Sequence, residues 1–427
     1  MRKMKDSGID WIGEIPEEWE VRRIKTISTC RENKLADNSG TDYFALENIV
    51  SWNGSYIHTD SIYDTTGAII CKTGDIAFGK LRPYLAKVFQ IEHDRCCSSE
   101  FAVFGDFLGF SRYYFYIMLT NGFVNSVDLS TYGVKMPRAN IDYIKNMFVP
   151  IPSYNEQQHI SGYLDRQCTH IDNIIEKTKT SIEEYKKLKQ AVITQAVTKG
   201  IRGNREMKDS GIDWIGEIPV EWEITPFRHV LIERNEKNIP IRTEERLSLS
   251  IDLGVTLYSE KTTNLDRFKD DFEQYKLAHE GDLVMNSMNM IVGASGVSKY
   301  YGCVSPVYYT FYDNLPDHTT AKYCEYIFRS KTMLRVLYSL GKGIYAIVRG
   351  DDRVNTCRLK VSKEDLKSLS IPNPSVDEQR EIINYLDQKC SEIDAIITKK
   401  QQFITEMENY KKSLIFECVT GKREVSV

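Results

Sequence analysis

Residues 4–20 read MKDSGIDWIGEIPEEWE, and residues 207–223 read MKDSGIDWIGEIPVEWE. Sixteen of these seventeen positions agree, and the single difference is Glu17 against Val220. A second repeat pairs residues 153–172, SYNEQQHISGYLDRQCTHID, with residues 375–394, SVDEQREIINYLDQKCSEID. The offsets are 203 and 222 residues, so the second variable segment is 19 residues longer than the first. One repeated frame around two different segments predicts one scaffold that presents two different binding domains.

The second repeat opens two stretches with helical periodicity. Ser153 with Glu156, and Ser375 with Glu378, form capping-box patterns just after prolines. Each stretch is about 40 residues long and carries a narrow apolar stripe, which favours burial against another helix. In the first stretch the stripe contains Ile160, Leu164, Ile171, Ile174, Ile175, Ile182, Tyr185, Leu188, Val192, Ile193 and Ala196. In the second it contains Ile382, Leu386, Ile393, Ile396, Ile397, Ile404, Met407, Tyr410, Leu414, Ile415 and Cys418.

We expect the two helices to pair as an antiparallel coiled coil, with Leu164, Ile171, Leu386 and Ile393 in its core. The alternative is that each helix packs separately on its own domain. The predicted fold class is α+β, with two mixed α/β domains separated by two long antiparallel helices. The predicted parts are a first domain (1–152), a central helix (153–203), a second domain (204–374) and a C-terminal helix (375–427).

The two variable segments have the patterns of mixed α/β domains. Both place a Gly-Asp pair, at 74–75 and at 281–282, before an apolar run, so we expect the same fold with different surfaces. The expected strands are 75–78, 85–89, 101–104, 282–285 and 307–312. The expected helices are 112–121 and 320–340.

The composition is that of a globular protein, with 427 residues, 27% charged and 41% apolar. No apolar run of about 18 residues is present, so no membrane span is expected. The N-terminus lacks the apolar core of a signal peptide, which predicts a cytoplasmic location. Ten cysteines occur without a C-x-x-C pair, so they are expected to be reduced and to bind no metal.

The charge distribution leaves the partner open. The net charge of −4 argues against a protein that binds nucleic acid alone. Residues 299–363 nevertheless contain eleven Lys and Arg against five Asp and Glu, whereas residues 72–138 contain eight against six. A basic face and an ordinary solvated surface both fit these counts.

Signatures of catalysis are missing from the sequence. It contains no G-x-x-x-x-G-K-[ST] loop, no G-x-G-x-x-G, no H-E-x-x-H and no G-x-S-x-G. The Asn-Pro-Pro-aromatic tetrapeptide of amino-methyltransferases is also absent. A catalytic site assembled from distant residues stays open, but a binding protein is the better interpretation.

The layout of the chain and several of its sequence motifs resemble those of the specificity subunits of type I restriction–modification systems. The resemblance lies in SGIDWIGEIPEEWE at the head of each half, GKLRPYL at 79–85, and GVSKY at 296–300 with VSP at 304–306. It extends to the Ile-Pro…Glu-Gln, Tyr-Leu-Asp and Ile-Asp strings of the two helices and to VTGK at 419–422. It covers essentially the whole chain.

The resemblance implies a non-catalytic subunit. Each variable domain would be a target recognition domain that reads one half of a bipartite, asymmetric site in double-stranded DNA. The paired helices would set the spacing and dock two modification subunits, which are adenine methyltransferases. Two restriction subunits would complete the complex. S-adenosylmethionine, ATP and Mg would bind to those partners, and this chain would hold no cofactor and no metal. The alternatives are a self-sufficient DNA-modifying enzyme with a hidden active site and a protein-binding structural adaptor.

Base readout in the major groove needs forked donors and amides, which predicts loop residues of both domains as DNA contacts. The same residues could instead be solvated charges or structural turn residues. In the first domain the candidates are Lys80, Arg82, Tyr84, Lys135 and Arg138. In the second domain they are Asn286, Asn289, Lys299, Lys342, Tyr345, Arg349 and Arg353.

Overall fold

The computed structural model describes residues 2–36, 42–59, 63–132, 136–261, 271–344, 347–348, 354–355 and 358–425. The chain divides into two compact units. The first unit consists of Met1–Lys179 and Lys400–Val427, and the second unit is Thr180–Lys399. Each unit therefore combines one variable segment with parts of both long helices.

The first unit is built around a four-stranded sheet. The strands of the first unit are β1 (Met4–Asp6), β2 (Glu14–Pro16), β3 (Glu20–Arg23), β4 (Thr29–Cys30), β5 (Tyr43–Phe44), β6 (Ile69–Cys71), β7 (Ile76–Gly79), β8 (Val88–Gln90), β9 (Arg95–Cys97), β10 (Phe101–Gly105) and β11 (Phe148–Ile151). Its shorter helices are α1 (Ile24–Ile27), α2 (Ser111–Met118), α3 (Asn121–Leu129) and α4 (Ile141–Asn146). The main sheet has the order β4-β10-β7-β8, and a second sheet has the order β5-β9-β6.

The central strands of the main sheet are apolar because both of their faces are buried. On one face Ala77 and Phe101 join a core cluster with Phe44 of β5. On the other face Phe78 makes an edge contact with Phe123 of α3, with ring centroids 5.7 Å apart. Strands β7 and β10 pair antiparallel, with Phe101 opposite Gly79.

The second unit repeats this plan and adds strands to it. Its long helix α5 (Tyr154–Lys199) enters from the first unit. The strands that follow are β12 (Met207–Asp209), β13 (Glu217–Pro219), β14 (Glu223–Pro226), β15 (Ile232–Glu233), β16 (Leu247–Ser250), β17 (Gly254–Leu257), β18 (Lys276–Ala278), β19 (Leu283–Asn286), β20 (Ser295–Val297), β21 (Gly302–Val304), β22 (Tyr308–Tyr312), β23 (Lys342–Ile344), β24 (Ile347–Val348), β25 (Val354–Asn355), β26 (Arg358–Lys360) and β27 (Ser370–Asn373). The helices are α6 (Tyr258–Lys261), α7 (Thr319–Arg329), α8 (Lys331–Leu340), α9 (Lys363–Ser368) and α10 (Val376–Val419).

The main sheet of the second unit has the order β15-β22-β19-β20, which corresponds strand for strand to β4-β10-β7-β8. In both units a two-stranded antiparallel pair, β3 with β11 and β14 with β27, leads from the repeated head to the start of a long helix. The expectation that the two variable segments share one fold is confirmed by this common topology.

The long helices α5 and α10 pair with each other, as the periodicity predicts. The beginning of α5 lies in the first unit with the end of α10, and the end of α5 lies in the second unit with the beginning of α10, so the pairing is antiparallel. Leu164, Ile171, Leu386 and Ile393 are all buried. The predicted stripe is wrong at Leu188 and Tyr410, which occupy equivalent positions and are 49% and 46% exposed.

Two ion pairs connect the helices, and the 222-residue offset relates one to the other. In the first unit the Lys411 ammonium lies 2.7 Å from the Asp172 carboxylate, which also accepts a hydrogen bond from Asn53 Nδ2. In the second unit Lys189 Nζ lies 2.6 Å from Asp394 Oδ2. The Lys411 side chain is 9% exposed, whereas Lys189 is 28% exposed, so the first pair is the more deeply buried.

Several short elements differ from expectation for local reasons. The strand expected at 85–89 begins only at Val88, because Ala86 has a left-handed φ of 45° that ends a 3-10 turn. The single helix expected at 320–340 is two helices, because the extended Ser330 ends α7 and its side chain caps α8 by accepting the amide of Met333. The helix expected at 112–121 ends at Met118, and α3 follows it.

A search of the described residues finds no helix that is long and apolar enough to cross a membrane.

Removal of either helix–helix carboxylate should have unequal effects. In Asp172→Ala the buried Lys411 ammonium loses its counter-ion, and we expect a loss of about 2 kcal/mol of stability. For a unit of this size that corresponds to a melting temperature lower by about 4–8 °C. In the matched variant Asp394→Ala the more exposed Lys189 regains water, and the melting curve should be unchanged. Equal shifts for both variants, measured by scanning calorimetry, would contradict this account.

Candidate nucleic-acid interface

A polar groove with a volume of about 860 Å³ opens in the first unit, where β7 ends and α4 begins. We call it the first-unit groove. Its cationic residues are Arg31, Lys34, Lys80, Arg138 and Lys145, and its carboxylates are Glu32, Glu100 and Asp142. The exposed ring of Tyr132 also lines it. The groove therefore offers several cations, one aromatic ring and interspersed acids.

The backbone fixes Lys80 at the floor of this groove. Its amide donates to the carbonyl of Glu100 at 2.8 Å, and its carbonyl accepts the amide of Ala139 at 2.9 Å. The side chain is half-buried, and this burial lowers the pKa of the ammonium, an effect that the nearby Glu100 carboxylate opposes. Within the described residues Lys80 forms no ion pair, so its charge is available to a ligand.

Arg138, Arg82 and Tyr84 lie close to Lys80 along the same loops. The Arg138 guanidinium bonds to Glu100 Oε1 at 2.6 Å and is half-exposed. Arg82 is exposed, has a left-handed φ of 50°, and its amide donates to the carbonyl of Pro137 at 2.8 Å. Of the five first-domain candidates, the structure brings Lys80 and Arg138 into one groove, and Arg82 follows Leu81, which forms a β-bridge with Arg138. Tyr84 lies in the next turn, Pro83–Leu85, and its side chain is exposed. Lys135 lies outside the described residues.

The second-domain candidates are placed less uniformly. Asn286 and Asn289 share one loop at the carboxyl end of β19, where the Asn289 amide donates to the Asn286 carbonyl at 3.1 Å. Asn289 is exposed, whereas Asn286 is 8% exposed and its Oδ1 accepts the amide of Met288 at 3.0 Å. Asn286 is therefore engaged in shaping the loop. Of the two asparagines, only Asn289 has a side chain exposed at the surface.

Two further candidates lie at different ends of the sheet. Lys342, in β23, is 78% exposed and bonds to Asp365 at 3.1 Å. Its strand pairs with β26, whose next residue, Val361, donates its amide to the carbonyl of Ser287 in the Asn289 loop at 3.0 Å. Lys299 is exposed but follows Ser298, which bonds to Asp282 at the amino end of β19. Tyr345, Arg349 and Arg353 lie outside the described residues.

Both sheets carry the same buried clamp, which sequence reasoning missed. Arg31, just after β4, donates two hydrogen bonds to Asp75 at 2.9 and 3.0 Å. Arg234, just after β15, donates two to Asp282 at 2.6 and 3.1 Å. In each unit the same aspartate also accepts a backbone amide at 2.9 Å, from residue 72 or residue 279.

The clamp explains the Gly-Asp pairs seen in the sequence. Each aspartate closes the turn that begins the central strand and ties it, across one intervening strand, to the edge strand of the same sheet through a bidentate arginine. In the first unit Arg31 also bonds to Asp106, and its guanidinium lowers the pKa of that exposed carboxyl below its usual range. Only the aspartate could be found from sequence, because its arginine lies 44 residues away.

Among the residues that the structure describes, no group of three or more His, Cys, Asp or Glu side chains is arranged to hold a metal ion.

Comparison with known proteins finds similarity to one family. The model for the type I restriction modification DNA specificity domain matches residues 16–184. A putative type I restriction enzyme MjaX specificity subunit of Methanocaldococcus jannaschii is 23% identical over 97% of this chain and 96% of its own length. The MjaVIII specificity subunit of the same organism is 23% identical over 96% and 94%. This chain is similar in sequence, over almost its whole length, to specificity subunits of type I restriction enzymes.

Solved structures agree with the fold of such a subunit. The HsdS subunit from Thermoanaerobacter tengcongensis superposes with a TM-score of 0.53 at 16% identity, over 96% of this chain and 98% of that one. A chain from a study of complex assembly and conformational transition of the type I R-M system gives a TM-score of 0.70 at 16% identity, over 96% and 99%. Both curated relatives are named as specificity subunits of type I restriction enzymes.

The clamp should be testable by substitution. Asp75→Ala leaves the Arg31 fork and a buried backbone amide without their shared acceptor, which should cost about 2 kcal/mol. A loss of that size corresponds to roughly 30-fold faster amide exchange in peptides of β7, measured by hydrogen–deuterium exchange mass spectrometry. The matched variant Asp106→Ala removes the exposed partner of the same arginine and should leave exchange in β7 unchanged. If both variants behave alike, the aspartate of the Gly-Asp pair does not hold the strand.

Proposed function

We propose that this chain gives a type I restriction–modification complex its DNA address by reading two different half-sites. Each unit would read one half through residues at the carboxyl end of its central strand. The paired helices α5 and α10 would fix the distance between the halves. The recognised site would then consist of two different short half-site sequences, which we call words, separated by a spacer whose bases are not read.

One observation carries this proposal: equivalent strands present different chemistry at equivalent ends. At the end of β7 the groups are the half-buried Lys80 and the exposed Arg82 and Arg138. At the end of β19 the exposed group is the amide of Asn289, with Lys342 nearby. Lysine and arginine suit guanine, whereas asparagine suits adenine. The same scaffold with different end groups supports two unlike words and an asymmetric site.

Two modification subunits of the same kind are supported by the repeated heads. In the first unit Arg2 bonds to Glu18 and to Glu156 at the start of α5. In the second unit Arg205 bonds in the same way to Glu221 and to Glu378 at the start of α10. Two copies of one local structure suit two copies of one partner.

The chemistry would be divided between subunits. The modification subunits would bind S-adenosylmethionine and methylate adenine, and two restriction subunits would use ATP and Mg for translocation and cleavage. This chain would contribute neither cofactor nor metal. A net charge of −4 is compatible with DNA binding if partner subunits share the neutralisation of phosphates.

The proposal is tested by mapping methylated adenines in a genome whose only modification system carries this chain. Replacing residues 22–150 with the corresponding segment of another family member should change one half of the mapped site and leave the other half intact. Lengthening both α5 and α10 should instead change the gap and keep both words.

Other results would favour other functions. Methyl transfer by the purified chain with S-adenosylmethionine and DNA would indicate a self-sufficient enzyme. Absence of any DNA mobility shift, even with the modification subunits present, would indicate a protein-binding adaptor. A change in both words after exchange of one segment would contradict independent reading by the two units.

The first-unit groove predicts opposite effects for two neighbouring substitutions. Lys80→Ala removes a cation that has no carboxylate partner among the described residues, so DNA binding should weaken and the slope of log K against log salt should fall by about 0.9 if Lys80 contacts a phosphate. Glu100→Gln removes the carboxylate that holds Arg138 and repels DNA, so affinity should rise. Both are measured by fluorescence anisotropy with the assembled methyltransferase. Equal DNA affinities for the wild type and both variants would show that the first-unit groove does not contact DNA.

A further inference from the structure

A second groove, with a volume of about 910 Å³, lies within the second unit between the C-terminal part of α5 and the first turns of α8. We call it the α5–α8 groove. Five cations line it: Lys186, Lys187, Lys199, Lys331 and Arg335. Its lining contains one carboxylate, Glu183. In a chain with an overall excess of acids, this is a strongly positive surface.

Most of this charge has no internal counter-ion. Glu183 is bonded to Lys186 at 2.8 Å. The other four cations are exposed, and none of them forms an ion pair with a carboxylate in the described parts of the chain. Thr194, Thr332 and Gln195 add neutral hydrogen-bond donors to the lining. Several free cations with hydroxyl and amide donors suit a ligand whose negative charge is spread over a length.

The positive charge is not a requirement of the repeated scaffold. At the 222-residue offset, Lys186 and Lys187 correspond to Glu408 and Asn409 of α10, and Lys199 corresponds to Gly421. The short helix α3 occupies in the first unit the place of α8, since each is capped by a hydroxyl residue and follows the helix that contacts a long helix. Its first turns carry no cation, with asparagines where α8 has Lys331 and Arg335. The groove is thus a property of the second unit.

The groove is connected to the proposed reading loop through α8. This helix has ten residues, which corresponds to a length of roughly 15 Å. Its flank packs on the turn Met290–Val292 that follows Asn289, and it ends at Gly341, next to Lys342. The groove is therefore about one short helix away from the residues at the carboxyl end of β19. Because phosphates are closely spaced along a duplex, DNA bound at the carboxyl end of β19 would have phosphates within reach of the groove.

We propose that the α5–α8 groove binds the phosphate backbone of the DNA that adjoins the half-site read by the second unit. This inference rests on the proposed function. The composition of the groove favours DNA over an acidic protein. Lysine is depleted in protein–protein interfaces, which are instead anchored by aromatic side chains, and none of the described residues that line this groove is aromatic. Lysine, arginine, threonine and glutamine are typical phosphate contacts.

The two halves of the chain would consequently bind DNA unequally. The second unit would add sequence-independent phosphate contacts that the first unit lacks at the corresponding place. Loss of the groove should weaken binding to all sequences alike and leave the methylated site unchanged, because phosphate contacts carry no direct sequence information.

A charge-matched pair of variants tests this inference. Lys331→Ala with Arg335→Ala removes two groove cations, and Lys177→Ala with Lys179→Ala removes two exposed cations of α5 outside the groove. Binding of a fluorescent duplex that carries the mapped methylation site is measured over a range of salt concentrations, with the modification subunits present. The groove variant should have a slope of log K against log salt that is smaller by about 1.8, and the control should match the wild type.

Three outcomes would overturn the inference. Equal slopes for the groove variant and the wild type would show that the groove does not contact phosphate. Failure of the groove variant to assemble with the modification subunits, seen by size-exclusion chromatography, would assign the groove to a protein. If the wild-type complex does not bind DNA, the proposed function fails together with this inference.

A measurement on the unaltered complex avoids any effect of substitution on folding. Acetic anhydride labels exposed lysines, and mass spectrometry reports the labelling of each one with and without the duplex. Lys187, Lys199 and Lys331 should be protected severalfold by DNA, and Lys177 and Lys179 should not. Uniform protection, or none at the three groove lysines, would contradict phosphate binding in the groove.

Discussion

The antiparallel pairing of α5 and α10 is the constraint on which the rest of the structure depends. Each helix has an apolar stripe too narrow to fold into a core by itself, so each needs the other. The consequence is a crossed assembly in which residues 400–427 complete the first unit. Tyr113 of α2 donates its hydroxyl proton to the carbonyl of Val419 at 2.8 Å, and Tyr323 of α7 does the same to Val197 at 3.2 Å. The first unit therefore needs residues from the C-terminal end of the chain, and the second unit needs the C-terminal part of α5, which precedes the second repeated head.

The Arg–Asp clamps show how such a scaffold can keep its shape while its surface changes. Asp75 and Asp282 are almost fully buried and bond to Arg31 and Arg234 in the same geometry. They hold the amino end of the central strand. The predicted reading residues Lys80, Arg82 and Asn289 lie at its carboxyl end, whereas Lys299 lies at the amino end. Because Asp75 and Lys80 lie at opposite ends of one strand, we expect substitutions of Lys80 to leave the bonds between Arg31 and Asp75 intact.

The sequence predicts elements that depend on local pattern and misses those that depend on distant partners. Capping boxes predicted the first residues of α5 and α10 to within one residue, whereas both helices end before the predicted bounds of 203 and 427. The Ser330 break was missed because a serine within an apolar helical pattern is a weak stop signal unless its cap can be seen. The bond from Arg31 to Asp75 was missed because nothing in either segment points to the other. Similarly, Lys299 looked equivalent to the other basic candidates, yet it lies at the amino end of β19, away from Asn289.

The two grooves also differ in how their charges are mixed, and this bears on the proposed division of labour. In the first-unit groove Glu32, Glu100 and Asp142 stand among the cations, so a phosphate is attracted and repelled at close quarters. Such mixing of charges lowers the affinity for DNA in general and raises discrimination between sequences, since a ligand binds well only if it complements both the positive and the negative groups. Among the described residues that line the α5–α8 groove, the one carboxylate, Glu183, is paired with Lys186. Unmixed positive charge attracts any duplex, so it suits holding DNA in place while the mixed surface selects the sequence.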